Sequence, residues 1–220
     1  VSIMLKKWRA WWIGGTVMST TNLPAVGPCR ITSQKRPLKP KHVCAIRVRL
    51  EIAQRTRELA LFNLAIDSKL RGCDLVKLEV TDVFVAGRIK ERTSIVQSKT
   101  KQPVQFEITE GTRRSVSAWL NDPAMVGSSF LWPSRFHSPD HISTRQYARL
   151  VKELVASIGL EPSAFGTHSL RRTKVAQIYK KTGNLRAVQL LLGHTKMDST
   201  VRYLGVDLED ALSISEGVEV

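Results

Sequence analysis

From about residue 41 onward the apolar side chains recur at helical spacing, and only one stretch changes to the two-residue period of a strand. Val43, Ile46, Leu50 and Ala53 fall on one helical stripe, and Leu59, Phe62, Leu64 and Ile66 continue in a second helix before Arg71. Leu75, Leu78 and Val80 to Val85 lead into β-prone sequence. Residues 88–98 and 103–108 form an expected hairpin with Lys99-Thr100-Lys101-Gln102 at its turn, and Val96, Val104, Phe106 and Ile108 supply its buried side. Helical pattern returns at 110–121. Ser143-Thr144 then offers an N-cap for the stripe Tyr147, Leu150, Val151, Leu154 and Ile158. Pro162 and Gly166 separate that helix from one at about 168–182, which Gly183 stops. Two short helices follow, Leu185 to Leu192 and Ser199 to Leu204, split by Gly193-His194-Thr195. The expected class is therefore mainly α with a small antiparallel β-sheet. No βαβ alternation is present, and no Gly-rich phosphate loop, so ATP and NAD are not expected ligands.

Charge narrows the partner. The 220 residues carry 34 Lys and Arg against 19 Asp and Glu, a net charge of +15. With 42% hydrophobic residues the chain can build a core, so this charge sits on a folded body and calls for a polyanion. An anionic membrane surface would satisfy the charge but leaves the motifs below unexplained, and no apolar run reaches 18 residues. The first 50 residues hold ten Lys and Arg and no acid. Residues 1–40 show no sustained period, and Lys35-Arg36-Pro37-Leu38-Lys39-Pro40-Lys41 favours extended chain. The expected layout is a basic, disordered arm at 1–40, a catalytic domain at 41–206 and an acidic tail at 207–220. Lys6-Lys7 before a short apolar stretch faintly resembles a secretion signal, but Gly14-Gly15 interrupts it. The tail is either a frayed end or a short amphipathic helix built on Leu208, Ala211, Leu212 and Ile214. Three widely spaced cysteines, Cys29, Cys44 and Cys73, fit neither a disulfide framework nor a zinc site, and a reducing cytoplasm is the simplest compartment. His137 and His141 are four apart, but Pro139 between them spoils a helical metal pair, so no metal or other cofactor is expected.

The chemistry concentrates in the last third. His168 and Arg171 lie three apart at a helix start, on one face near the positive end of the dipole, where a phosphate is welcome. His194 follows Arg171 by 23 residues, and Tyr203 follows His194 by 9. Metal-free cleavage of a phosphodiester needs a nucleophile, positive charge on the non-bridging oxygens and an acid for the leaving oxygen. A tyrosine can form a covalent phosphoryl bond, two arginines can grip the phosphate, and a lysine in a turn can donate a proton. In isolation each residue has a blander role: His168 as a cap, His194 as a loop residue, Leu190-Leu191-Leu192 as core, and Tyr147 and Tyr179 as packing or surface.

In order and spacing these residues resemble the tyrosine recombinases, or phage integrase family, over about residues 41–215. Leu70-Arg71-Gly72-Cys73-Asp74-Leu75 is similar to the family's first arginine motif, and Lys99 sits 28 residues later in the hairpin turn. Lys101 beside it is the alternative acid; the spacing favours Lys99. The resemblance implies Arg71, Lys99, His168, Arg171, His194 and Tyr203 as the catalytic set, with Asp74 supporting a neighbouring base or cation. Lys41, Lys101 and Arg172 are further expected DNA contacts. It also implies a 3′-phosphotyrosine link, strand rejoining without ATP, and a dimer or tetramer on double-stranded DNA. Most family members carry a helical core-binding domain ahead of the catalytic one. The 40 residues here lack helical periodicity, so the expectation is a catalytic domain with a basic arm only. Two alternatives stay open: a DNA-binding accessory protein that keeps the fold, and a DNA-relaxing topoisomerase of similar chemistry.

Overall fold

The computed structural model describes residues 34–135 and 140–204, with the backbone alone at Arg202. The chain opens with two helices, α1 (Pro40–Ile52) and α2 (Thr56–Ser68). Two single turns follow, α3 (Gly72–Leu75) and α4 (Val80–Val83). Next come the strands β1 (Phe84–Val85), β2 (Arg88–Ile89), β3 (Arg92–Val96) and β4 (Pro103–Glu107). Helices α5 (Glu110–Leu120), α6 (Thr144–Ser157), α7 (Thr167–Thr182), α8 (Leu185–Leu192) and α9 (Met197–Leu204) complete the order.

α2 is the axis of the core. Every residue from Ala60 to Ser68 is buried, which its run of Ala, Leu, Phe and Ile permits on all sides. α1, α5, α7 and β4 pack around it. Its one mid-helix amide, Asn63, accepts from Arg47 Nε at 2.7 Å and donates to Ser115 Oγ at 3.2 Å, so no polar group is stranded there. Trp119 and Trp132 extend the same core toward α6, where Ser143 Oγ caps the first turn by accepting from Gln146 N.

A charged seam locks three of these elements together. Asp67, near the end of α2, accepts from Thr109 N, Thr109 Oγ1 and Thr112 Oγ1 through Oδ2, and meets Lys174 Nζ of α7 at 2.8 Å through Oδ1. Lys174 also meets Glu107 of β4 at 2.6 Å, and Glu107 meets the fully buried Lys69 Nζ at 3.1 Å. Burial alone would push the Asp67 carboxyl up, but Lys174 and the two threonine hydroxyls outweigh it and hold the group below its ordinary value. Satisfied in this way, the seam fixes α7 against α2 and β4.

Four expectations change. Val96 is 65% exposed, because β3 pairs Thr93 with Phe106 and Ile95 with Val104 on the inner face, which turns Val96 and its partner Pro103 outward. Residues 80–83 form a helical turn, held by Asp82 Oδ2 accepting from Glu79 N at 2.9 Å; only Phe84 and Val85 are strand, and they make a second two-stranded sheet with β2. Leu190 is 63% exposed, so of the three consecutive leucines only Leu192 is fully buried. Finally, residues 34–39 belong to the packed body rather than to an arm. Leu38 is buried in the main core, Leu38 N donates to Thr173 Oγ1 and Arg36 N to Ala164 O. Residues 1–33, His137 and the acidic tail lie outside the described residues.

Candidate active site

The expected site residues come from four places in the fold and meet on one side of it. Arg71 stands in extended backbone at the N-terminal boundary of α3, two residues after Lys69 ends α2 in the left-handed region at φ 55°. Its Nη1 donates to Gln97 Oε1 at the end of the β3–β4 hairpin. Asp74, three residues on, is 4% exposed and accepts from Ser98 N at 2.9 Å. It therefore steadies the backbone beside Lys99, and its charge also favours the Arg171 cation. Lys99 itself is exposed in the turn, which closes with Gln97 N donating to Gln102 O and Lys101 N to Gln97 O.

α7 supplies two more groups from its first turns. Arg171 is 3% exposed, and its Nη2 donates to Leu192 O at 2.9 Å. Its Nη1 is buried with no hydrogen-bond partner. A guanidinium N–H left open in a water-poor site is a slot for an anionic oxygen. His168 lies at the exposed start of the same helix. Desolvation first, then the cations Arg171, Arg172, Arg71 and Lys99, lower its pKa, so the imidazole stays neutral near pH 7.

α8 ends at Leu192 and Gly193 takes φ +63°, turning the chain so that His194 faces the arginines. A Cβ at Gly193 would also lie 2.5 Å from Val104 Cγ2, so both the turn and the close approach to β4 require glycine. Burial first, then Arg171 and Arg71, push the His194 pKa down to about 4. Its Nδ1 lies 3.1 Å from the Oγ1 of the fully buried Thr200 in α9.

Tyr203, one residue from the end of the described helix, completes the group. Its ring meets His194 edge-on at 5.4 Å, with the Arg172 and Arg171 guanidinium carbons 5.1 and 5.8 Å from its centroid. The phenolic oxygen is buried, and the polar side chain that supports it is the Arg171 guanidinium. Burial raises its pKa to about 12 against the opposing pull of Arg171, Arg172 and Arg71. All six expected positions thus share one site: Arg71 and Arg171 reach a common support at Gln97 and Leu192, the imidazoles sense both arginines, and Tyr203 rests on Arg171.

The supporting set is less uniform. Lys41 and Lys101 are exposed. Arg172 is 7% exposed, with Nη1 donating to Lys35 O at 2.8 Å and Nη2 to Gln34 Oε1 at 2.7 Å. The expectation of a surface DNA contact at Arg172 is therefore corrected. One position further along α7 than Arg171, it sets its guanidinium carbon 5.1 Å from the Tyr203 ring centroid while bonding to residues 34–35. Gln97 and Thr200 were not anticipated. The signal for Gln97 was available, since it continues the inward phase of Thr93 and Ile95. Thr200 carried none. Among the described residues no three His, Cys, Asp or Glu stand together as a metal group; His141 Nδ1 instead lies 2.9 Å from Ile142 O.

This fold and site define a class, and comparison with known proteins agrees. The model of the Phage integrase family matches residues 38–209. A probable integrase/recombinase, YoeC of Bacillus subtilis strain 168, is 33% identical over 152 residues, covering 69% of this chain and 78% of that protein. Tyrosine recombinase XerD of Bradyrhizobium diazoefficiens is 28% identical over 166 residues, covering 70% of this chain and 51% of that one. Among solved structures, XerA recombinase superposes with a TM-score of 0.67 at 16% identity, covering 84% of this chain and 65% of that chain. XerH recombinase, in a post-cleavage complex with its difH substrate, gives 0.66 at 18%, covering 91% and 59%. The chain belongs to the phage integrase family of tyrosine recombinases. It spans about half the length of the XerD relatives it matches.

Proposed function

We propose that this chain is the catalytic domain of a site-specific recombinase that breaks and rejoins duplex DNA through a phosphotyrosine link at Tyr203. The observation that carries the reading is the convergence of one buried phenol with two guanidinium groups and two neutral imidazoles beside a lysine-bearing turn.

Each group has a role fitted to its state. With a pKa of about 12, ionising Tyr203 in advance costs about 6 kcal/mol at pH 7.5. Attack is therefore coupled to proton removal, and neutral His168 accepts the phenolic proton. Tyr203 Oη bonds to phosphorus as the bond to the 5′ oxygen breaks, and the Lys99 ammonium protonates that oxygen. The open Nη1 of Arg171 and the free edge of Arg71 hold the non-bridging oxygens as charge builds on them. With Nδ1 accepting from the Thr200 hydroxyl, His194 keeps its proton on Nε2 and donates it as a hydrogen bond to the phosphate. One phosphoester is exchanged for another, so attack by a new 5′ hydroxyl reverses the step and needs no ATP.

The proposal includes double-stranded DNA as partner, Lys41 and Lys101 as phosphate contacts, self-association on the DNA, and a cytoplasmic location. Among the described residues no helix is long and apolar enough to cross a membrane. The test is a nicked duplex that loses its 5′ end after cleavage and traps the covalent product. Wild type is expected to accumulate a protein–DNA adduct that maps to Tyr203 by mass spectrometry, and Tyr203→Phe none. Equal adduct from both proteins rejects the nucleophile. Binding with no adduct from wild type points to an accessory DNA-binding role.

A further inference from the structure

The two arginines of the site do not touch each other, yet both end on one small structure, and its centre is a glutamine. Gln97 is 0% exposed. Its Oε1 accepts from Arg71 Nη1 and from Thr100 Oγ1, the latter at 2.8 Å. Its Nε2 donates to Leu192 O at 3.3 Å, the same carbonyl that receives Arg171 Nη2 at 2.9 Å. One carboxamide therefore joins Arg71, the turn that holds Lys99, and the last residue of α8 two positions before His194. The backbone of Gln97 also closes both ends of the lysine turn, through Gln102 O and Lys101 N.

The chemistry of the side chain matches this place. Arg71 and Thr100 each bring a donor, so they need an acceptor; Leu192 O needs a donor. An amide offers both at once from a planar group, whereas a carboxylate has no donor and an aliphatic chain has neither. Buried in a water-free position, these bonds are held in fixed directions, and losing one strands its partner.

The structure assigns Gln97 as a positioning residue for phosphoryl transfer, one that aims the Arg71 guanidinium and ties the Lys99 turn to the Arg171–His194 side of the site. It touches neither DNA nor phosphorus; it acts through Arg71 and through the turn. The assignment rests on the function proposed above.

Single-turnover cleavage of the nicked duplex tests it, alongside equilibrium binding of the same DNA and a thermal melt. Gln97→Leu is expected to bind DNA within about threefold of wild type and to cleave about 10–100-fold more slowly. Gln97→Glu, which keeps the acceptor for Arg71 and Thr100, is expected to lose less than Gln97→Leu. Two altered substrates separate the routes. In a methylphosphonate, one non-bridging oxygen is a methyl group and the centre is neutral, so a misplaced Arg71 matters less; the Gln97→Leu defect is expected to shrink there, as that of Arg71→Ala does. A bridging 5′ sulfur leaves without an acid and is expected to rescue Lys99→Ala fully and Gln97→Leu only in part. Wild-type cleavage by Gln97→Leu overturns the assignment. So does a loss equal on all three substrates, or one that tracks a lowered melting temperature or weakened binding. A Gln97→Glu defect as large as that of Gln97→Leu overturns the Arg71 route. Absence of adduct from the wild-type protein overturns the functional reading itself, a result separate from all of these.

Discussion

The two ends of the site rest on very different foundations. Arg71, Asp74 and the Lys99 turn grow out of the main core, where α2 is buried along nine consecutive residues and the Asp67–Lys174–Glu107–Lys69 seam clamps its neighbours. Among the described residues Tyr203 belongs to a separate cluster in which Val175, Val188 and Leu192 are fully buried, with Ile178, Tyr179, Tyr203 and Leu204 packed partly against them. Buried apolar area sets what it costs to open a region, so among the described residues Arg71 and the Lys99 turn sit on the more firmly held body and Tyr203, the proposed nucleophile, on the lighter cluster. The joint between the two is the Leu192-Gly193-His194 turn, which the hairpin and Arg171 hold in place. A phenol with a pKa of about 12, buried beside Arg171, is stored rather than poised.

Removing the buried Phe62 ring from the main core breaks this contrast from the rigid side. Phe62→Ala is expected to cost about 3–5 kcal/mol and to lower the urea midpoint of the whole body, lighter cluster included, because α7 packs on α2. Leu192→Ala attacks the lighter cluster instead, and a loss of about 2–4 kcal/mol is expected there. Hydrogen exchange should show protection lost in α8 and α9 while α2 keeps its own; equal loss in both regions would mean that they are one unit.

Acid sharpens the comparison more gently. His194 titrates near 6.5 in the unfolded chain and at about 4 in the folded one, so between those values the unfolded state binds more protons. Its contribution is complete above about pH 6.5 and is lost as the pH falls toward 4. Urea midpoints from pH 7 down to pH 5 should fall in wild type and fall less in His194→Gln, with His168 and His42, also lowered, supplying the remainder. With His168 as the proposed acceptor of the phenolic proton, cleavage should decline only below about pH 6.5, because its pKa is lowered from that ordinary value. The smallest effect is expected on the lighter cluster's outer face. Leu190→Gln, at a side chain 63% exposed, should move stability by less than about 0.5 kcal/mol and leave the adduct yield unchanged.

Much of this arrangement was legible from the chain. The stripes that became α1, α2, α5, α6 and α7 were visible because each presents apolar residues at a period that a helix converts into a face. The hairpin and its turn followed from one change of period. The six site positions were legible as an ordered set of residue types, and the structure brings them to one side of the fold. Errors fell where side-chain type was used without phase. Val96 and Leu190 are apolar but lie on outward positions of elements whose inward places were already filled. Arg172 is basic but neighbours a buried arginine, and the body turns it inward onto Gln34 and Lys35.

What the sequence by itself determined was local: periodicity, breaks, charge balance and the order of reactive groups, all of which depend on neighbours a few residues apart. What only the tertiary structure decided was which polar groups share a partner. Gln97 and Leu192 are 95 residues apart, Arg71 and Gln97 26, and Arg172 and Gln34 138. Hydrogen bonds have a reach of about 3 Å and a direction. Such pairs exist only once packing has placed both backbones, and no pattern along the chain encodes them.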